Sequence, residues 1–279
     1  MTRSMKFAIC NELFEGWAFE RVCRFVKSIG YDGLEIAPFT LAPRITDVTS
    51  AERARLRRQA AESGVEILGL HWLLAKTDGF HVTSPDPAVR RRTAEYLVEL
   101  ARACHDLGGD LMVFGSPKQR SRLPGVTPEQ AEELAAETFR QALPAVADLG
   151  VTICLEPLPA EETDVINTCA DAWRLIQQVN HPGFGLHLDV KAMSSEAAPV
   201  ADLVTLYGGR ASHFHANDPN LRGPGFGATD FIPIFKALAE AGYDRWVSVE
   251  VFDMSPDPET VARGSIEYMS RCLWKELTA

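Results

Sequence analysis

Four residues of this 279-residue chain combine types and spacing that serve metal chemistry: Glu156, Asp189, His215 and Glu250. Each closes a short apolar run, and successive members are 33, 26 and 35 residues apart, one β/α repeat each. Three carboxylates held at close range repel one another and are driven to take up protons unless a cation neutralises them. Together with one imidazole they form a hard, mostly oxygen donor set. Such a set suits Mn²⁺ or Mg²⁺, admits Co²⁺ and disfavours Zn²⁺. Any one of these acids alone reads more simply as a helix cap or an ion-pair partner. Four at equivalent places on successive repeats read as one metal site.

The elements that must position them follow from periodicity. Short apolar, β-branched runs at Phe7–Cys10, Gly33–Ala37, Val65–Leu70, Leu111–Phe114, Val151–Glu156, Phe184–Asp189, Ser212–Ala216 and Val247–Val251 read as strands. Between them, helical spacing runs over Ala18–Ser28, Ala51–Glu62, Ala88–Leu107, Pro128–Leu149, Ala170–Val179, Phe231–Ala241 and Thr260–Lys275. Thr49, Asp86, Thr127 and Asp230 stand at helix entries as capping residues, and glycines such as Gly30 and Gly108 stand just past the exits. Strict alternation without a linker implies parallel β/α units. No G-x-G-x-x-G follows the first strand, so a dinucleotide-binding open sheet is not indicated. The expectation is an α/β fold, a (β/α)8 TIM barrel, with residues 1–279 as a single domain. In such strands alternate residues face the interior, which puts Glu156, Asp189, His215 and Glu250 inward at the C-terminal ends of strands five to eight, where barrel active sites are built.

Composition narrows the partners. The chain carries 28 Lys+Arg against 38 Asp+Glu, a formal charge of −10, which argues against nucleic acid as a partner. Its longest apolar runs are of strand length, so no membrane partner is expected. The N-terminal MTRSMKFAIC leads into a strand and has no apolar segment of a secretory signal. Six scattered cysteines without C-x-x-C spacing read as reduced core thiols, and the expected location is the cytoplasm.

The motifs CLEPL, HLDV, HFHANDP, PGFG-x-x-D (Pro224–Asp230) and SVEVF carry a resemblance over essentially the whole chain to the xylose-isomerase-like barrels, the sugar phosphate isomerase/epimerase group. Within it the pattern is similar to the ketose 3-epimerases that act on D-tagatose and D-psicose. The resemblance implies that Glu156, Asp189, His215 and Glu250 bind one divalent metal, usually Mn²⁺, and that Glu156 and Glu250 form a proton-transfer pair. It assigns Glu162 to substrate oxygens, and it implies pairing of subunits as dimers or tetramers. Two positions depart from that pattern. Ala192 stands where the epimerases have a histidine, and Leu221 where they have an arginine, with Arg222 one residue on. The substrate and the carbon attacked are therefore open.

Further pocket candidates come from the residues themselves. His71 and Trp72 close strand three, and the indole is suited to stack on a sugar ring or to fill the core. His187 and His213 lie one inward layer below Asp189 and His215, and Glu35 closes strand two, placed to orient other groups. The segment SPKQRSR (Ser116–Arg122) follows strand four; Lys118, Arg120 and Arg122, with Lys191 and Arg222, read either as a solvated charge run or as a site for a phosphate or carboxylate on the substrate. The expected activity is metal-dependent isomerisation or epimerisation of a sugar or sugar derivative. The alternative is a lyase on the same platform, dehydrating a keto-inositol or eliminating the aglycone of a 3-keto-glycoside. Abasic-site cleavage and a non-catalytic sugar-binding relic rank below these.

Overall fold

The computed structural model describes residues 5–278; Met1–Ser4 of the polar lead and Ala279 lie outside them. Eight parallel strands close into one barrel in chain order: β1 (Lys6–Cys10), β2 (Gly33–Ile36), β3 (Glu66–Leu70), β4 (Leu111–Phe114), β5 (Thr152–Leu155), β6 (Phe184–Asp189), β7 (Ala211–Ala216) and β8 (Trp246–Val249). The expected (β/α)8 architecture is the observed one. The helices between them are α1 (Phe19–Ile29), α2 (Ser50–Glu62), α3 (Pro87–Leu107), α4 (Pro128–Asp148), α5 (Cys169–Val179), α6 (Val190–Met193), α7 (Val200–Tyr207), α8 (Phe231–Glu240) and α9 (Pro258–Thr278). Between β6 and β7 the sequence marks a helix exit at Gly208-Gly209 without bounding the helix, and α6 and α7 lie there, α7 ending at that glycine pair. α7 is a short apolar segment that buries Leu203, Val204 and Tyr207, and two turns are too few for periodicity to set its bounds.

Helix entries form as local chemistry dictates. Thr127 accepts from the Gln130 amide while the Gln130 side chain returns to the Thr127 amide, a closed capping box that starts α4. Thr168 and Asp171 do the same for α5, and the Asp86 and Asp230 carboxylates cap α3 and α8. Gly30 ends α1 at φ 108°, a left-handed conformation that a side chain would strain.

By density of packing the chain divides into two compact units. One comprises Ile36–Arg57 with Leu68–Leu186, and the flanking and intervening segments form the other. In the first, Phe139 on α4 packs edge-on against Phe114 of β4 with ring centroids 5.1 Å apart, and lies 4.7 Å from Phe184. Truncating a ring so enclosed costs about 3–5 kcal/mol. In the second, Phe7 of β1 meets Phe235 of α8 edge-on at 6.0 Å, and the β7–β8 register sets His215 beside Ser248. Among the described residues no helix is long and apolar enough to cross a membrane.

Candidate active site

Strand alternation places the polar side chains of β6, β7 and β8 on one face. His187 and Asp189, His213 and His215, and Ser248 with the following Glu250 each stand two residues apart and are buried. Asp189 Oδ1 accepts the Ala192 amide at 2.7 Å, capping the single turn of α6 and fixing the carboxylate. Its Oδ2 lies 3.9 Å from His215 Nδ1, and Glu250 Oε2 lies 3.4 Å from the same nitrogen. One donor atom from each of three expected ligands thus converges. A cation with bonds of about 2.1 Å sets adjacent octahedral donors about 3.0 Å apart and opposite ones about 4.2 Å apart. Both separations from His215 Nδ1 fall within that span, so each carboxylate could share a small divalent cation with that nitrogen.

Asn217, quoted within HFHANDP but assigned no role by sequence reasoning, braces the group. Its Nδ2 donates to Asp189 Oδ2 at 2.6 Å and lies 3.3 Å from Glu250 Oε2, while its Oδ1 accepts the Lys191 amide at 2.8 Å. The backbone contact fixes which way the amide points. An asparagine two residues past a strand-end ligand, still on the inward parity, was the available signal.

Beneath lies Glu35, fully buried within β2. Its Oε2 accepts from His213 Nε2 at 2.8 Å and from His215 Nε2 at 3.1 Å. A carboxylate only accepts, so both Nε2 atoms carry protons, and the Nδ1 face of His215 is left toward Asp189 and Glu250. Cys10 Sγ sits 3.8 Å from Glu35 Oε2 and 3.6 Å from Ser248 Oγ. One ring nitrogen from each of His187, His213 and His215 lies within 4.8 Å of the others.

The electrostatics call for positive charge. Burial, and then the neighbouring charge of Glu250, push Asp189 up to about 6. Burial would lower His215, but Glu35 and then Glu250 hold it well above its ordinary value. Burial would likewise raise Glu35, and His213 and His215 together keep it well below the carboxylate range.

In the other unit, Glu156 directly follows β5 and is buried. The Arg120 guanidinium, fully buried, donates through Nη1 to the Glu156 carbonyl oxygen and reaches the Ile166 carbonyl at 3.5 Å through Nη2. Burial lowers Arg120 to about 10 against the opposing pull of Glu156 and Glu162. Gly115 gives the Glu156 side chain its room, because a Cβ there would stand 2.2 Å from Glu156 Oε2. Glu162 is exposed on the loop after β5, His71 is buried after β3, and Trp72 is half-buried with its ring 5.7 Å from Phe39. Lys118 is exposed after β4. Arg222 is held by Asp253 at 3.0 Å, and Lys191 Nζ lies 4.4 Å from the Phe252 ring centroid. Arg120 is therefore part of the scaffold behind Glu156, away from the charged loop surface that its sequence neighbourhood suggests.

A closed parallel barrel carrying acidic and imidazole side chains at its strand ends defines the class, and the chain belongs to the Xylose isomerase-like TIM barrel family, which it matches over residues 23–272. It is similar to D-psicose 3-epimerase of Ruminiclostridium cellulolyticum, 27% identical over 81% of this chain and 76% of that one. It is also similar to 3-dehydro-D-guloside 4-epimerase of Escherichia coli, 24% identical over 96% of this chain and all (100%) of that one. A solved L-ribulose 3-epimerase superposes with a TM-score of 0.85 at 21% identity, covering 98% of this chain and 96% of its own. These relatives are named as sugar epimerases, enzymes of the isomerase class.

Proposed function

We propose that this protein is a divalent-metal-dependent sugar epimerase that moves a proton on a carbon next to a carbonyl. The observation that carries the reading is the convergence of Asp189 Oδ2 and Glu250 Oε2 on His215 Nδ1 in a chain whose relatives are named as sugar epimerases. Glu156, at the end of β5 beside β6 in the barrel order, is the fourth ligand of the proposal, with Mn²⁺ as the ion and the chain acting as one domain. When bound, the cation supplies positive charge beside the substrate's carbonyl and hydroxyl oxygens and so acidifies the adjacent C–H bond.

The chain's own residues do the rest. Glu156 and Glu250 form the acid/base pair, one removing the proton and the other returning it to the opposite face. Glu35 keeps the His215 proton on Nε2, and Asn217 keeps the Asp189 carboxylate turned toward His215. Arg120 anchors the Glu156 backbone. His71, Trp72, Glu162, Lys118, Lys191 and Arg222 are the proposed substrate contacts.

The deciding experiment incubates the Mn²⁺-loaded protein with ketohexoses in D₂O and follows the products by NMR. Epimerisation places deuterium at one carbon of an isomer. Release of a smaller fragment or of water would instead establish the lyase alternative. A second substrate class belongs in the same assay: the match to the 4-epimerase spans that enzyme end to end, which favours 3-keto-glycosides alongside free ketoses.

A further inference from the structure

Most basic side chains of the strand-end loops are committed to partners. Arg120 is buried against backbone carbonyls, Arg122 pairs with Asp164 at 2.8 Å, and Arg222 pairs with Asp253. Lys118 stands apart from these. With Trp72, Lys76, Ser116 and Gln119 it lines a hollow of about 290 Å³, and among the described residues no acidic side chain lines that hollow.

Its walls are the loops that follow β3 and β4, at the strand ends where barrel proteins bind their ligands. The two loops are tied together, since the Leu74 amide donates to the buried Ser116 Oγ at 3.2 Å. Trp72 and Ser116 take φ values of 51° and 41°, the left-handed region that non-glycine residues hold only where their surroundings fix them. The hollow is thus built in advance rather than formed by loose chain. Lys118 and Lys76, the latter with its Nζ 4.0 Å from the Phe39 ring centroid, line the same hollow as the indole, two cations together in a chain of charge −10. The indole suits the C–H face of a sugar, and the lysines suit an anion as point charges.

We propose that this hollow binds the anionic substituent, a carboxylate or phosphate, of a sugar derivative, with Trp72 as platform and Lys76 and Lys118 as counter-charges. The choice of a sugar rests on the epimerase reading; the preference for an anion rests on the hollow.

The test is isothermal titration of the Mn²⁺-loaded protein at fixed ionic strength with D-glucuronate, D-glucose 6-phosphate and D-glucose. At least one anionic sugar binds about tenfold or more tightly than glucose, and which one does so separates carboxylate from phosphate. Lys118→Gln weakens the anion by about three- to tenfold more than it weakens glucose, and Lys76→Gln acts in the same direction. Both lysines are exposed, so these variants keep the fold, which the melting temperature checks. Equal binding of all three sugars, no measurable binding of either anion, or an anion preference that survives the double Lys76→Gln/Lys118→Gln variant overturns the proposal. Deuterium incorporation into a neutral ketose by a protein with flat binding would keep the epimerase reading and remove this one.

Discussion

Glu35 Oε2 accepts the His215 Nε2 proton at 3.1 Å, although 180 residues separate the two in sequence, and the pair is wholly buried. The same oxygen takes His213, so one charge sets the orientation of two rings. Replacing a carboxylate that orients a metal-binding histidine typically weakens the metal by about 10- to 100-fold. Glu35→Gln is expected to do so here, because the neutral amide accepts more weakly and turns a donor toward one imidazole. Titration with Mn²⁺ against a competing chelator reads the loss directly. Unchanged affinity would show that His215 is oriented by its own strand.

Glu156→Gln and Glu250→Gln are expected to lower turnover by at least about 10²- to 10⁴-fold, the range for removing a general acid or base. Each replacement is isosteric, so circular dichroism and the melting temperature stay near those of the parent. EDTA is expected to remove activity and Mn²⁺ to restore it. Full turnover in either variant, measured in the D₂O assay, would end the two-glutamate mechanism.

Gly115→Ala separates site geometry from stability. The added Cβ would stand 2.2 Å from Glu156 Oε2, the far end of a flexible side chain, so that carboxylate swings away while the backbone stays. The expected outcome is a melting temperature within a few degrees of the parent together with weakened Mn²⁺ binding and lost turnover. Lost stability with intact metal binding would count against the placement of Glu156 in the site.

Alkaline pH should destabilise the fold. Burial pushes the Cys23 thiol up to about 12, and burial first, then the charges of Glu35 and Glu12, hold Cys10 well above its ordinary value. Tyr31 is raised well above its ordinary value as well, by burial and then by Cys10. The folded state therefore keeps protons that the unfolded chain releases above about pH 9–10. This contribution is fully present below that range and is lost as pH rises toward the folded values. Urea midpoints should fall between pH 8 and pH 10.5, and Cys23→Ala should flatten that slope. The same burial predicts that a thiol reagent at pH 8 labels none of the six cysteines until denaturant is added.

Much of this was legible along the chain. Capping residues at Thr127, Asp86 and Asp230 act over three residues, and the two-residue alternation of His213 with His215 is a property of a single strand. Such signals are local, so composition and spacing carry them. The exit of α7 was marked at Gly208-Gly209 but not its bounds, because two apolar turns show little period, and Arg120 misled because its charged neighbours in SPKQRSR say nothing of a carbonyl 36 residues away.

By itself, then, the amino-acid order determined the β/α rhythm, the barrel closure it favours, and the strand ends at which Asp189, His215 and Glu250 stand. Only the tertiary structure decided that Asn217 clamps two of those acids, that Glu35 serves both imidazoles, and that Lys76 and Lys118 line one hollow with Trp72. The physical reason is reach. Hydrogen bonds and charges act through space over a few ångströms, and which distant residues come that close is settled by the packing of strands and loops against one another, a relation no single stretch of sequence contains.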